Sequence, residues 1–155
     1  MKLNKPPKIP FTKEGYEKVQ NVFNTLSQKR KEVLIRLQAA REMGDLSENG
    51  AYQGARFELS SIDRQLRQLK YQLKYGEITE SKNSGIVDFG STVTLDDDTD
   101  KTTYTIVGTF ESDPTLHTLS GNSPVGKAIM GKRVGDKVIV SLPTGQIEYT
   151  ILRIS

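Results

Sequence analysis

The chain has 155 residues, of which 35% are hydrophobic and 26% charged, and its formal net charge at pH 7 is +3. It contains no cysteine and one histidine, which excludes disulfide bonds, thiolate zinc sites and a cysteine nucleophile and argues against a conventional catalytic triad. No apolar run reaches the length of a membrane span, and the start of the chain lacks the apolar stretch of a signal peptide, so we expect a soluble, cytoplasmic protein.

The first predicted element is a long amphipathic helix. Thr12 is a suitable N-cap, and Phe11 and Tyr16 stand at the two positions of a hydrophobic staple. From residue 16 the apolar side chains recur at intervals of three and four, which is typical of a coiled-coil seam in which Arg30 fills one position. The apolar members of this seam are Tyr16, Val19, Phe23, Leu26, Val33, Leu37 and Ala40.

A second helix with the same kind of seam follows a short connection, and Gly76 fits its C-terminal cap. Two seams of similar length joined by a short connection bury each other only by folding back. We therefore expect residues 1–76 to form an antiparallel coiled-coil hairpin, an arm roughly 45 Å long with the connection at its tip. The seam of the second helix consists of Tyr52, Ala55, Leu59, Ile62, Leu66, Leu69 and Leu73.

The second half of the chain predicts a β-rich domain over residues 85–155, joined to the hairpin by a linker at 77–84. Alternating, β-branched segments at 87–95, 102–110, 137–142 and 146–154 predict strands, and Pro143-Thr144-Gly145 predicts a hairpin turn. Ser123-Pro124 followed by Gly131 predicts one short helix. The fold class is therefore α+β, a helical hairpin followed by a small β-rich domain.

Charge divides along the same line as the predicted structure. Residues 1–75 hold 15 Lys or Arg and 8 Asp or Glu, a net charge of +7, whereas residues 76–155 carry a net charge of −4. Such an asymmetry indicates two domains with different partners, although long helices also tend to carry many basic residues.

Two carboxylates, Asp45 and Glu48, lie three residues apart in the connection between the helices. If the second helix begins at Asp45, they form a capping box, which accounts for both residue types without any further function. Alternatively, the pair supplies oxygen ligands to a hard cation such as Mg²⁺. Because two carboxylates alone bind Mg²⁺ weakly, they would act on an ion already held by another macromolecule. The residue pattern alone leaves both interpretations open.

Basic side chains are numerous along the predicted arm. They are suited to neutralising RNA phosphates, and equally to solvated coiled-coil positions with intrahelical pairs such as Glu32 with Arg36. No aromatic residues are interleaved with them to stack on bases, so any contact is expected at the RNA backbone. Arg41 and Arg56 flank the tip, and further along lie Lys29, Arg30, Lys31, Arg36, Arg64 and Arg67.

The tip carries a specific resemblance to a known family. Residues 40–49 read Ala-Arg-Glu-Met-Gly-Asp-Leu-Ser-Glu-Asn, followed by Tyr52 and Ala55-Arg56. This pattern closely resembles the Gre family of bacterial transcript cleavage factors of RNA polymerase, and its GreA-like members most. Residues 87–95, 122–132 and 134–138 independently look like the C-terminal domain of that family, so the resemblance extends over nearly the whole chain.

The resemblance implies an FKBP-like C-terminal domain that binds the outside of RNA polymerase, and a coiled coil that enters the secondary channel of the polymerase. At the tip, Asp45 and Glu48 are then expected to help hold the second catalytic Mg²⁺ and a water, so that the backtracked 3′ end of the nascent RNA is hydrolysed. The chain would be a monomeric accessory factor without a cofactor of its own, because the Mg²⁺ and the catalytic chemistry belong to the polymerase. The expected contacts with RNA or polymerase are Arg41, Asn49, Tyr52 and Arg56, and the expected docking residues are Ser123, Pro124 and Gly126.

Two positions depart from the family pattern, and, separately, two alternative functions stay open. Gly50 and Ala51 stand where the family usually has Ala and Glu, and Gly50 costs the first helical turn up to about 1 kcal/mol relative to Ala. One alternative is a Gre-like paralogue that occupies the channel and inhibits the polymerase without cleavage. Another is a peptidyl-prolyl isomerase, which needs an aromatic-lined pocket. For such a pocket the second half offers no tryptophan, only Phe89, Tyr104, Phe110 and Tyr149.

Overall fold

The computed structural model describes residues 6–44, 48–82 and 84–155. Two long helices precede a β-rich region, which confirms the predicted fold class. The elements in chain order are strand β1 (Ile9–Phe11), helices α1 (Lys13–Glu42) and α2 (Gly50–Tyr75), strands β2 (Gly76–Ile78), β3 (Thr92–Asp96), β4 (Lys101–Val107) and β5 (Thr118–Ser120), helix α3 (Pro124–Ile129), and strands β6 (Lys137–Leu142) and β7 (Gly145–Ile154). No helix in the described ranges has both the length and the apolar character needed to span a membrane.

The chain divides into two compact units. The first contains Tyr16–Gly76, and the second combines Lys8–Gly15 with Glu77–Ser155. The start of α1 therefore belongs, by its contacts, to the β-rich unit, and β1 pairs with β2 in a two-stranded sheet. Strand β2 includes the first residues of the segment that the sequence predicts as a linker.

Helices α1 and α2 run antiparallel and share one apolar seam, as predicted. Side chains that join the two helices pair Tyr16 with Leu73, Arg30 with Asp63 and Arg36 with Glu58. The partners on α2 come from progressively earlier positions as α1 advances, which is the register of a hairpin. The buried members of the seam are Val33, Leu37, Ala40, Ala55 and Ile62, and Tyr52, Leu59 and Leu66 pack against them half-buried.

The helix ends follow from local hydrogen bonding. The prediction that Thr12 is the N-cap of α1 is confirmed, because Thr12 Oγ1 accepts a hydrogen bond from the Gly15 amide at 3.0 Å. Gly76 is the C-cap residue of α2, but it is extended rather than left-handed and leads directly into β2. Helix α2 begins at Gly50 with Asn49 as its N-cap, so the capping box that requires a helix starting at Asp45 is wrong.

The β-rich unit is built on a five-stranded sheet with the strand order β5-β4-β3-β7-β6. Strands β4 and β5 are parallel, and every other neighbouring pair is antiparallel. Helix α3 packs against β6, and its Ile129 enters the core. The buried side chains of this core are Val87, Val93, Leu95, Ile106, Ile129, Val138 and Ile151.

Two of the predicted strands are too long. The first half of the strand predicted at 87–95 is a turn, in which the Asp88 amide donates to Ser91 Oγ at 3.0 Å and Gly90 adopts a φ of +82°. The strand predicted at 102–110 ends at Val107. The turn predicted at 143–145 and the short helix after Ser123 are confirmed.

Candidate functional site at the hairpin turn

The turn between α1 and α2 holds the residues that the sequence singles out. Glu48 is exposed and lies one residue before the N-cap of α2. Asp45, the other predicted carboxylate, lies outside the described residues. Gly44 begins the turn with a φ of +115°, a conformation that favours glycine.

Asn49 joins the two helix ends through a single side chain. Its Oδ1 accepts a hydrogen bond from the Tyr52 amide at 3.2 Å, and its Nδ2 donates to the Ala40 carbonyl at 2.7 Å. The first amides and last carbonyls of a helix have no partner within the helix. One amide side chain thus caps the start of α2 and donates to a carbonyl near the end of α1, which also accepts from the Met43 amide at 3.2 Å, and it holds these two ends together.

The cap formed by Asn49 changes the interpretation of Glu48. A capping box would give Glu48 a backbone amide to accept from, and so a purely structural reason to be acidic. With the helix starting at Gly50, Glu48 precedes the cap and is exposed. As a hard oxygen donor, an exposed carboxylate is suited to a divalent cation.

Arg41 and Tyr52 face each other across the hairpin near the turn. The guanidinium carbon of Arg41 lies 5.8 Å from the centroid of the Tyr52 ring, within the range of a cation–π contact. Tyr52 also packs against the apolar seam, whereas Arg41 and Arg56 are both exposed. The exposed guanidinium groups suit an anionic partner. The contacts of Arg41, Asn49, Tyr52 and Arg56 with RNA or polymerase stay predictions.

Some basic residues further along the hairpin are engaged within it. Arg36 Nη2 lies 2.6 Å and Lys29 Nζ 3.4 Å from the Glu58 carboxylate, so Arg36 reaches across to α2 rather than along α1 to Glu32. The hydrogen bond from Arg36 lowers the pKa of Glu58 from its ordinary value.

Arg30, which fills a seam position, pairs with Asp63 at 2.6 Å. The hydrogen bond to Asp63 raises the pKa of Arg30. The basic side chains that lie exposed along the same helices include Lys31, Arg64 and Arg67.

A shallow groove of about 450 Å³ lies beside the turn on the hairpin, a feature that the sequence analysis does not predict. Gly50 and Gly54 each have open space where a Cβ would project. Their spacing of four residues on α2 is the signal that identifies this groove, since i and i+4 share a helix face. Its walls include Ala39, Ala40, Met43, Ala51 and Ala55.

The predicted docking residues of the β-rich unit have roles in its own fold. Ser123 Oγ accepts a hydrogen bond from the Gly126 amide at 3.0 Å and donates to the Ser120 carbonyl at 2.7 Å. Pro124 occupies the first turn of α3. A Cβ on Gly126 would overlap the Ser120 carbonyl oxygen. These contacts explain the three residue types, and docking on polymerase through them stays a prediction.

Within the described residues, no three His, Asp or Glu side chains converge on a point where they would hold a metal ion.

Two family models match nearly the whole chain. The model described as transcription elongation factor, N-terminal, matches residues 9–78, and the model described as transcription elongation factor, GreA/GreB, C-term, matches residues 82–155. Their boundary falls close to the end of β2.

Individual relatives agree with these models. The transcription elongation factor GreA of Bacillus cytotoxicus is 37% identical over 150 residues, which cover 94% of this chain and 95% of that protein. The transcription elongation factor GreA of Maridesulfovibrio salexigens is 39% identical over 150 residues, covering 94% of each. Among solved structures, the GreA factor homolog 1 protein of Thermus thermophilus is 26% identical, with a TM-score of 0.46 over 96% of this chain and 99% of that one.

Proposed function

Since this chain belongs to the GreA/GreB family of transcription elongation factors, we propose that it binds bacterial RNA polymerase and stimulates Mg²⁺-dependent cleavage of backtracked nascent RNA. In this proposal the coiled-coil hairpin enters the secondary channel and brings its turn to the active centre of the polymerase. The phosphodiester bond is hydrolysed there by the polymerase, so the chain acts as an accessory factor.

The observation that carries the proposal is the exposed Glu48 beside a cap made by another residue. Because Asn49 satisfies the start of α2, the structure does not require an acidic side chain at position 48. We take the partner of this exposed carboxylate to be the polymerase active centre, which membership of the GreA/GreB family supports.

Asp45 and Glu48 together would supply two oxygens to a weakly held Mg²⁺ that the polymerase already binds. Such an ion activates the attacking water in two-metal phosphoryl chemistry. A tenfold gain in rate requires only about 1.4 kcal/mol, so one or two well-placed oxygens account for a large stimulation. Correct placement matters as much as charge, which suits a carboxylate carried at the end of a rigid helical hairpin.

The direct test is the release of short 3′ RNA fragments from backtracked elongation complexes given Mg²⁺ and this protein. We expect release with the wild type, and a loss of about 100-fold or more in the Asp45→Ala, Glu48→Ala double variant, as for removal of groups that stabilise a transition state. The double variant should still compete with the wild type for polymerase, because the proposed docking surface is unchanged.

Glu42→Gln is the matched control, because Glu42 is an exposed carboxylate in the last turn of α1 that the proposal does not use. It should cleave like the wild type. Undiminished cleavage by the double variant would contradict the proposed role of the tip. A wild type that slows elongation without releasing fragments would instead identify the inhibitory paralogue.

A further inference from the structure

Glu111 gathers hydrogen bonds from the segment that leads into α1. Its Oε2 accepts from the Thr12 amide at 3.0 Å and from the Gly108 amide at 3.0 Å, and its Oε1 accepts from the Thr12 hydroxyl. The Thr12 hydroxyl in turn accepts from the Gly15 amide at 3.0 Å. The N-cap of α1 is therefore itself held by a carboxylate that lies 99 residues further along the chain.

The fit around this carboxylate is tight. A Cβ built on Gly15 would overlap the Glu111 carboxylate, and a Cβ on Gly108 would overlap the Pro10 carbonyl oxygen. Glycine at both positions is thus explained by close approach rather than by backbone conformation. Any larger side chain at position 15 displaces either the first turn of α1 or Glu111.

Apolar packing supports the same attachment. Phe11, which precedes the cap, is fully buried, and its ring stacks on that of Phe110 with centroids 6.4 Å apart. The Phe11 carbonyl accepts a hydrogen bond from the Thr79 amide at 2.8 Å. The residues that precede Thr12 and Glu111 therefore pack on each other, beside the hydrogen bonds that join Thr12 to Glu111.

We propose that Glu111 is a positioning residue, which holds the N-cap and the first turn of α1 within the β-rich unit. Its charge has a definite task, because a carboxylate accepts from three donors at once and a neutral amide does not. The consequence for cleavage rests on the proposed function: α1 leads to the proposed tip, so fraying of its first turn should lower the rate of cleavage.

The lock is tested first without the polymerase. Amide hydrogen exchange at Thr12, Gly15 and Gly108 should accelerate by about tenfold or more in full-length Glu111→Ala, since hydrogen bonds to a charged acceptor are lost. Glu148→Gln is the control, because Glu148 is an exposed carboxylate of the same unit, 3.8 Å from Lys137, and should leave these amides unchanged. Unchanged exchange in Glu111→Ala would overturn the lock.

A second measurement uses the contact between Gly15 and Glu111. Gly15→Ala should lower the thermal midpoint in the wild-type background, where the new Cβ displaces the carboxylate. In the Glu111→Ala background, which leaves room for that Cβ, the same change should be neutral or raise the midpoint, because alanine favours a helix. An equal loss in both backgrounds would show that the two residues do not interact.

The positioning role is tested by separating binding from cleavage. Glu111→Ala should bind polymerase within about threefold of the wild type, while cleavage at saturating factor falls by about tenfold or more, as expected for a misplaced group. A loss of binding with undiminished cleavage at saturation would overturn the positioning role. If the wild type itself fails to cleave, the proposed function is wrong, and the exchange and double-variant results still decide the lock.

Discussion

At the scale of single residues, the Asn49 side chain forms hydrogen bonds with both helices beside the turn. Its side chain uses a donor for α1 and an acceptor for α2, and no charged or aliphatic side chain of similar size offers both. Among the described residues beside the turn, Asn49 therefore links the two helix ends by hydrogen bonds from one short side chain.

Asn49→Ala should lower the free energy of unfolding by about 1–2 kcal/mol, because an N-cap is lost and the Ala40 carbonyl loses its side-chain donor. Urea denaturation followed by far-UV circular dichroism measures this change. Asn49→Asp is the matched comparison, since it keeps the capping oxygen and loses only the donor, and it should fall between alanine and the wild type. A stability of Asn49→Ala equal to that of the wild type would contradict the proposed joining of the helix ends.

At the scale of elements, the hairpin combines an apolar seam with ion pairs beside it. Glu58 on α2 forms ion pairs with both Arg36 and Lys29 of α1. These pairs are partly exposed, so their contribution to stability is small and depends on salt and pH.

The pH dependence of this contribution has a definite sign. Because the hydrogen bond from Arg36 lowers the pKa of Glu58 in the folded chain below its ordinary value of 4.5, the stabilisation is complete above that value. It is lost as the pH falls through the folded-state pKa. The thermal midpoint of Glu58→Gln should therefore fall less than that of the wild type between about pH 5 and pH 3. Glu32→Gln, an exposed change on α1, serves as the control, and a decline in Glu58→Gln equal to that of the wild type would show that the pair is unimportant.

The long helices are predictable because their seams repeat, whereas the short elements depend on distant partners. Strand β1 has three residues and exists by pairing with β2, more than sixty residues away in the chain. The strand predicted at 87–95 fails at its start because Ser91 bonds to the Asp88 amide and Gly90 turns the chain, two local effects that β-branched patterning does not reveal.

At the candidate site, too, some features could be predicted from the sequence and others required the structure. The segment 45–49 contains several good capping residues, and only the structure identifies Asn49 as the N-cap of α2. The exposed position of Glu48 was expected from its place in the connection. The contacts of Glu111 with Thr12 were not, because nothing in the sequence relates two polar residues so far apart.

At the scale of the whole molecule, the chain's early residues stabilise its later half. Phe11 is fully buried in the β-rich unit, where it stacks on Phe110. Phe11→Ala should cost about 3–5 kcal/mol, the range for deleting a buried aromatic ring. Hydrogen exchange should show the loss in strands β3, β4 and β7 of the five-stranded sheet, which hold part of the core of this unit.

Phe57→Ala is the matched control for that substitution. Phe57 is 80% exposed on α2, so removing its ring should change the free energy of unfolding by no more than about 0.5 kcal/mol. Unaltered exchange in the sheet of Phe11→Ala would contradict the assignment of the first residues to the second unit.

Because the first turn of α1 belongs to the β-rich unit and the rest of α1 to the helical unit, a single cut in the chain does not separate the two units. A fragment made by one cut after β2 separates the five-stranded sheet from Phe11 and Thr12, and leaves Glu111 with neither donor of the Thr12 residue. Such a fragment exposes the face of Phe110 that Phe11 covers and is expected to aggregate or to unfold more readily than the intact chain. An isolated β-rich unit that keeps its contacts must include Lys8–Gly15. A circular permutant, in which a linker joins the original ends and the new ends lie within the hairpin, would keep this segment covalently attached.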